Sequence, residues 1–241
     1  MWNKIQRIYV GQYQVYPKTV PQVWLLGYRP LQSDLKDYSW NWNNCSWYSW
    51  TWSFGSVASK TWARVTRSSS QSTQHIVTPI QIDNYWKTIA GWIYFSSLWT
   101  AWQWFCSDCS QWGGSKQSVT IWLRPADNLN IYANPAGYIN WSWWQKWGKV
   151  WNKPSTWTWY FWCLSSDNDG NSNFYINDTK IPMSFTWATW TKWNSIFRLW
   201  CAQSNNWSSV WNGTDGYIRH FAVYNRELTT DEILDYYNIT S

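Results

Sequence analysis

Apolar residues come in short bursts along this chain, set between clusters of Ser, Asn, Asp, Gly and Pro. Within the bursts, β-branched and aromatic side chains alternate with polar ones at a period near two, as half-buried strands require. This pattern predicts strands at 75–82, 88–96, 117–123, 129–133, 156–164, 172–177, 195–201 and 216–225, with Asp167-Asn-Asp-Gly170 turning one strand into the next. Ser68–Thr73 reads as a flexible loop. Residues 5–16 form two β-rich pieces about Gly11, a small hairpin that ends near Pro17. Lys18–Gln22 is a connector, so the chain divides into an N-terminal hairpin and connector (1–22) and one main domain (23–241). One helix is expected, at the end: Thr229 and Glu232 make a T-x-x-E capping box, and Ile233, Tyr236 and Tyr237 share a face. In the strand before it, Ile218, Phe221 and Val223 offer an apolar face, with a bulge between the first two; Arg226 and the helix should then tuck against the sandwich edge. Many short strands and one late helix predict an all-β fold, a two-sheet antiparallel sandwich, and 241 residues suffice for one core.

Composition changes this picture in one respect. The chain has 29 Trp and only 11 Gly. Many of the Trp stand among turn-formers, as in Ser39-Trp40-Asn41-Trp42-Asn43-Asn44, Ser49-Trp50-Thr51-Trp52-Ser53 and Asn206-Trp207-Ser208. Glycine is the residue expected there, because it alone enters positive φ without steric cost. A turn-rich β domain should hold at least the ordinary ~7% Gly, and this chain falls short. The pattern is what a reassigned UGA codon, read as Trp in one code and Gly in another, leaves behind. The competing reading is a surface of sugar-stacking rings. Trp92 and Trp159 lie in apolar runs and are expected to be core rings in either case.

Three segments carry a resemblance. Tyr28–Asn44 is similar to an opening of the form "PL…L.DySGngn", with Trp40 and Trp42 where Gly is usual. Trp159-Tyr-Phe161 followed by Phe174-Tyr-Ile-Asn177 resembles a "W.h…lYvNG" hairpin, with Asp178 in place of its last Gly. Gly216–Ile233 resembles a closing strand and helix. In this order they look like the laminin-G-like (concanavalin A-like) family, over about residues 24–241. The resemblance implies a jelly roll that binds rather than catalyses, with a rim that sometimes holds calcium. Asp167-Asn-Asp-Gly-Asn171 offers oxygens for calcium, although the same residues are good hairpin formers; no cofactor is otherwise expected. The N-terminal hairpin resembles those that begin phage tail and baseplate-associated proteins. That implies a virion protein attached to other virion proteins through its N-terminus, with a bacterial cell-surface protein as the alternative. A homotrimer would suit a tail appendage.

The remaining chemistry is thin. The net charge of +6 is spread without any Lys/Arg run, so no nucleic-acid partner is expected. No eighteen-residue apolar run exists and Met1–Val10 has no leader-like core, so neither a membrane insertion nor a secretory leader is expected. Cys106-Ser-Asp-Cys109 has metal-site spacing but no second pair; Cys45, Cys163 and Cys201 are scattered. A glycan hydrolase needs two carboxylates across a sugar bond, and the only Glu residues, Glu227 and Glu232, belong to the closing turn and cap. His75 and His220 lack a nucleophile elbow. The expectation is a non-enzymatic adhesion or display domain for a host-surface glycan or protein, with aromatic stacking on shallow rim loops. A purely structural virion decoration protein and a glycan hydrolase of the concanavalin-like superfamily are its competitors.

Overall fold

The computed structural model describes residues 8–10, 13–16, 25–39, 41–47, 53–65, 76–81, 87–98, 103–109, 120–134, 148–167, 171–183, 196–199, 202–203, 210–211 and 215–241. In chain order the strands are β1 (Ile8–Val10), β2 (Tyr13–Tyr16), β3 (Leu25–Arg29), β4 (Ser46–Trp47), β5 (Ser53–Val57), β6 (Lys60–Val65) and β7 (Ile76–Gln81). They continue as β8 (Lys87–Ser97), β9 (Gln103–Cys109), β10 (Thr120–Arg124), β11 (Asn130–Asn134), β12 (Gly148–Trp151), β13 (Trp159–Ser166) and β14 (Ser172–Ile176). The last are β15 (Thr179–Met183), β16 (Ile196–Leu199), β17 (Ala202–Gln203), β18 (Val210–Trp211) and β19 (Asp215–Tyr224), followed by helix α1 (Thr230–Thr240).

Two antiparallel sheets make the sandwich. One runs β12-β11-β10-β9-β16-β7-β4; the other runs β15-β14-β13-β8-β19-β6-β5, with β3 also paired to β19. Between them lies one continuous core, to which the first sheet gives Ile76, Ile80, Ile121, Leu123, Ile131 and Leu199, and the second gives Ile93, Phe95, Trp162, Leu164, Phe174 and Phe221. The expected all-β fold, N-terminal hairpin and C-terminal helix are all present. The strand expected at 156–164 starts later, because Thr156 and Trp157 form a turn.

The second sheet is buried on its outer face too. There Leu25, Tyr28, Ala90, Phe161, Cys163, Ala222 and Tyr224 pack with Leu228, Ile233 and Tyr236 of the closing segment. The helix thus covers the middle of a sheet face, not the sandwich edge expected from sequence. The reason is a cross-strand row of small side chains: Cys163 pairs with Ala90, and Ala90 with Ala222. Nothing in that row is larger than a thiol, so a helix can approach closely. The link between β19 and α1 is bonded down as well, with Thr88 Oγ1 donating to Arg226 O (2.9 Å) and accepting from Leu228 N (2.9 Å). The capping box forms as expected: Thr229 N donates to Glu232 Oε2 (2.9 Å) and Glu232 N to Thr229 Oγ1 (3.3 Å). Arg226 grips the same carboxylate at 2.6 and 2.7 Å, which holds it below its ordinary pKa.

The expected bulge in β19 is present, its register shifting between Arg219 and Ala222 against β8. His220 takes φ 49° there, in the left-handed region. At the hairpin of Asn177 and Asp178, only Asn177 has positive φ among the two, which is why Asp stands where the family usually has Gly.

Gly216 marks the tightest point of the β8–β19 pair: a Cβ there would lie 1.8 Å from Tyr94 O. Gly216→Ala should therefore destabilise the fold by about 3 kcal/mol in urea denaturation, whereas Gly91→Ala should cost less than about 1 kcal/mol. A Cβ on Gly91 meets nothing closer than 3.5 Å. Equal midpoints for the two variants would refute this account of the strand contact.

Candidate functional site

The side chains on the outer face of the second sheet change from small to large along the strands. One step from the Cys163–Ala90–Ala222 row, Phe161 pairs with Trp92 and Trp92 with Arg219. The next row runs across four strands as Trp159, Tyr94, Tyr217 and Arg64, a span of ~14 Å at ~4.8 Å per strand. The helix stops at the boundary. Its Tyr237 stacks on Trp92 (5.4 Å, 17°) and its Thr240 Oγ1 accepts a 2.7 Å bond from Trp92 Nε1. Beyond Trp92 the helix does not extend over the aromatic row, in which Tyr94 is buried, Trp159 and Tyr217 are half-buried and Arg64 is exposed.

The rings hold one another in place. Tyr94 contacts Trp159 at 5.3 Å and Tyr217 at 5.7 Å, the latter edge-on. Trp62 meets Trp159 edge-on at 5.9 Å. Arg64 lies 6.0 Å from the Tyr217 ring. Gly55 makes room for that ring, since a Cβ there would come within 2.8 Å of it.

At the centre of this surface is Arg219. Its Cζ lies 4.5 Å from the Trp92 ring centre, 4.6 Å from Trp159 and 5.3 Å from Trp62. Cation–π attraction is worth roughly 0.5–2 kcal/mol per such contact. The residue is 8% exposed and its Nε is sealed without a hydrogen-bond partner. Burial pushes its pKa down to about 10, and among the described residues no carboxylate acts on it. Among the described residues, the guanidinium is thus held by rings and not by a carboxylate.

Next to it, His220 lies between Tyr28 (stacked, 6.2 Å) and Trp62 (5.7 Å), its Nδ1 sharing a 2.8 Å hydrogen bond with the Tyr28 hydroxyl. Tyr236 donates its hydroxyl proton to the carbonyl of His220. Burial first, then the Arg219 and Lys60 charges, push the imidazole pKa down to about 3. His220 is a neutral packing group, as its place in the closing strand suggested.

The other sequence candidates are placed as follows. Both Asp167 oxygens accept from Asn171, from its N and Nδ2 at 2.8 Å, so this carboxylate closes the β13–β14 hairpin; Asp169 lies outside the described residues. Among the described residues no group of three or more His, Cys, Asp or Glu is placed to hold a metal. Cys106 and Cys109 fall within strand β9, while His75 and Cys201 lie outside the described residues. Cys45 and Cys163 are buried, and burial pushes Cys45 up to about 12. Glu232 is bound to Arg226, and Glu227 adjoins the same turn.

Two tryptophans stand apart. Trp42 (φ 56°, 80% exposed) and Trp157 (φ 62°, 70% exposed) combine left-handed backbone with the largest exposure. Trp62, Trp92, Trp122 and Trp162 are buried instead. Trp40, Trp50, Trp52 and Trp207 lie outside the described residues.

No family model and no curated protein matches the chain. Solved structures do. Domain 4 of AbnA, a GH43 extracellular arabinanase from Geobacillus stearothermophilus solved with arabinotriose, is similar with a TM-score of 0.61 at 18% identity, over 88% of this chain and 97% of that one. Trypanosoma rangeli sialidase matches with a TM-score of 0.61 at 11% identity, over 92% of this chain but 33% of that one. The binding domain of botulinum neurotoxin serotype D matches with a TM-score of 0.60 at 13% identity, over 90% and 51%. At such identities the likeness shows the fold alone, an all-β jelly-roll sandwich.

His220 yields a pH test. Its pKa is about 3 folded against 6.5 free, so the unfolded chain takes the proton first as pH falls. Its share of stability is full above pH 6.5 and is lost as pH drops toward 3. His220→Asn keeps a residue tolerant of left-handed backbone and should flatten the fall in Tm between pH 6.5 and pH 3; an unchanged slope would show that His220 is not buried neutral.

Proposed function

We propose that this chain is a non-catalytic binding and display domain that holds a host-surface glycan through the uncovered aromatic row of its second sheet. The observation that carries the reading is Trp159–Tyr94–Tyr217–Arg64, an ordered line of rings ending in a cation. Rings present flat apolar faces to sugar C–H groups, and their polar tips with Arg64 bond hydroxyls. A non-enzymatic role is supported by Glu232, whose carboxylate is taken by Arg226 and the helix cap, and by the place of Glu227 in the turn before the helix. The solved neighbours include a domain in complex with arabinotriose and a neurotoxin binding domain, which agrees with a glycan or receptor partner.

The row predicts binding to one glycan class on a glycan array, lost at least tenfold in Trp159→Ala and Tyr217→Ala, both half-exposed positions. About 1–2 kcal/mol per stacked ring corresponds to that loss. Binding that survives both substitutions would move the site elsewhere, and no binding to any glycan would favour a structural decoration protein.

We place the protein on a phage virion, attached through the β1–β2 hairpin, and infer that its gene uses a reassigned UGA codon. The support is Trp42 and Trp157, exposed rings on backbone that suits glycine, in a chain with 29 Trp and 11 Gly. Peptide mass spectrometry on native particles should give glycine mass at Trp42 and Trp157, and tryptophan mass at Trp92 and Trp159. Tryptophan at all four would end the decoding idea, and absence of the peptides from particles would end the virion placement.

A further inference from the structure

We propose that the glycan bound here is an acidic one, and that Arg219 takes its carboxylate. The inference rests on the glycan-binding reading above and adds the class of sugar. Arg219 is nine-tenths buried and, among the described residues, its Nε has no partner and no carboxylate acts on its charge. A buried cation is ordinarily paired, because burial of a charge without a partner is costly. Three indoles offset only part of that cost. The arrangement is completed by an anion from outside.

The shape of the surroundings selects the anion. Trp92 and Trp159 lie against the guanidinium at nearly equal distance, 4.5 and 4.6 Å. An anion meets a guanidinium through its N–H groups. A carboxylate is planar and matches the guanidinium fork with two parallel bonds. The surrounding charge agrees: Arg64 and Lys60 are exposed on the adjoining strand β6. The same Trp159 that walls Arg219 also begins the stacking row, so the sugar ring and its carboxylate would be held by contiguous groups. Trp157 is not needed; glycine at that position would leave the approach to Tyr94 more open.

The test is calorimetry on the full chain with four probes: sialyllactose, its methyl ester, neutral lactose and lactose sulfate. The expected result is that sialyllactose, or trigalacturonic acid if the uronic series is preferred, binds at least about tenfold tighter than its ester, the value of one charge-assisted hydrogen bond or more. Arg219→Gln should remove that preference and Arg219→Lys should keep part of it. If Arg219→Gln fails to fold, the acid-against-ester comparison on the unaltered protein decides. Equal binding of acid and ester, lost in Trp159→Ala, would overturn the acidic-sugar inference while leaving a glycan site. Tighter binding of the sulfate would also overturn it. No binding of any probe, together with a blank glycan array, would remove both readings.

Discussion

The fold depends on the central strand pair β8–β19, which is buried on both faces. Inward, Ile89, Ile93, Phe95, Ile218, Phe221 and Val223 complete the core between the sheets. Outward, Ala90 and Ala222 form the seat of the helix. The alternation of a strand forces both tasks onto the same ten or so residues, because each inward side chain fixes its neighbours outward. The bulge at His220 then becomes necessary. It adds a residue between Arg219 and Ala222, so that Phe221 and Val223 point into the core while Ala222 stays opposite Ala90.

Much of this was legible in the chain. Apolar bursts such as Ile89–Phe95 are long enough to read, and the T-x-x-E box at Thr229 is a local signal that structure can only accept. Strands β5 and β6 were not read, because Ser53-Phe-Gly-Ser-Val57 and Lys60-Thr-Trp-Ala-Arg-Val65 hold few apolar residues and are joined by Ala58 and Ser59, both at positive φ without a glycine. The helix's seat was misjudged for a different reason. Which face it covers depends on Cys163, Ala90 and Ala222 standing side by side, and they lie far apart in sequence.

The candidate site shows the same limit. Trp92, Tyr94, Tyr217 and Arg219 alternate within their strands, a period-two signal of an outward aromatic face that could have been noticed. That Trp159, Tyr94, Tyr217 and Arg64 make one row is a matter of register across four strands, which no local pattern states. Nor does the sequence around Arg219 announce that its charge lies among three indole rings. The surface carries a cost for this: a desolvated cation is weaker support for the fold than an apolar side chain of like size.

Strand order has a consequence for how the chain comes into being. The strand that sits between β8 and β6 in the second sheet is β19, which leaves the ribosome after the other described strands of that sheet. Until it emerges, β8 and β6 have a gap between them and their inward apolar residues have no continuous partner. A nascent chain of this topology must carry two half-sheets, with open edges, for most of its synthesis. Closure is a single late insertion between distant segments, so assembly should be slow and all-or-none.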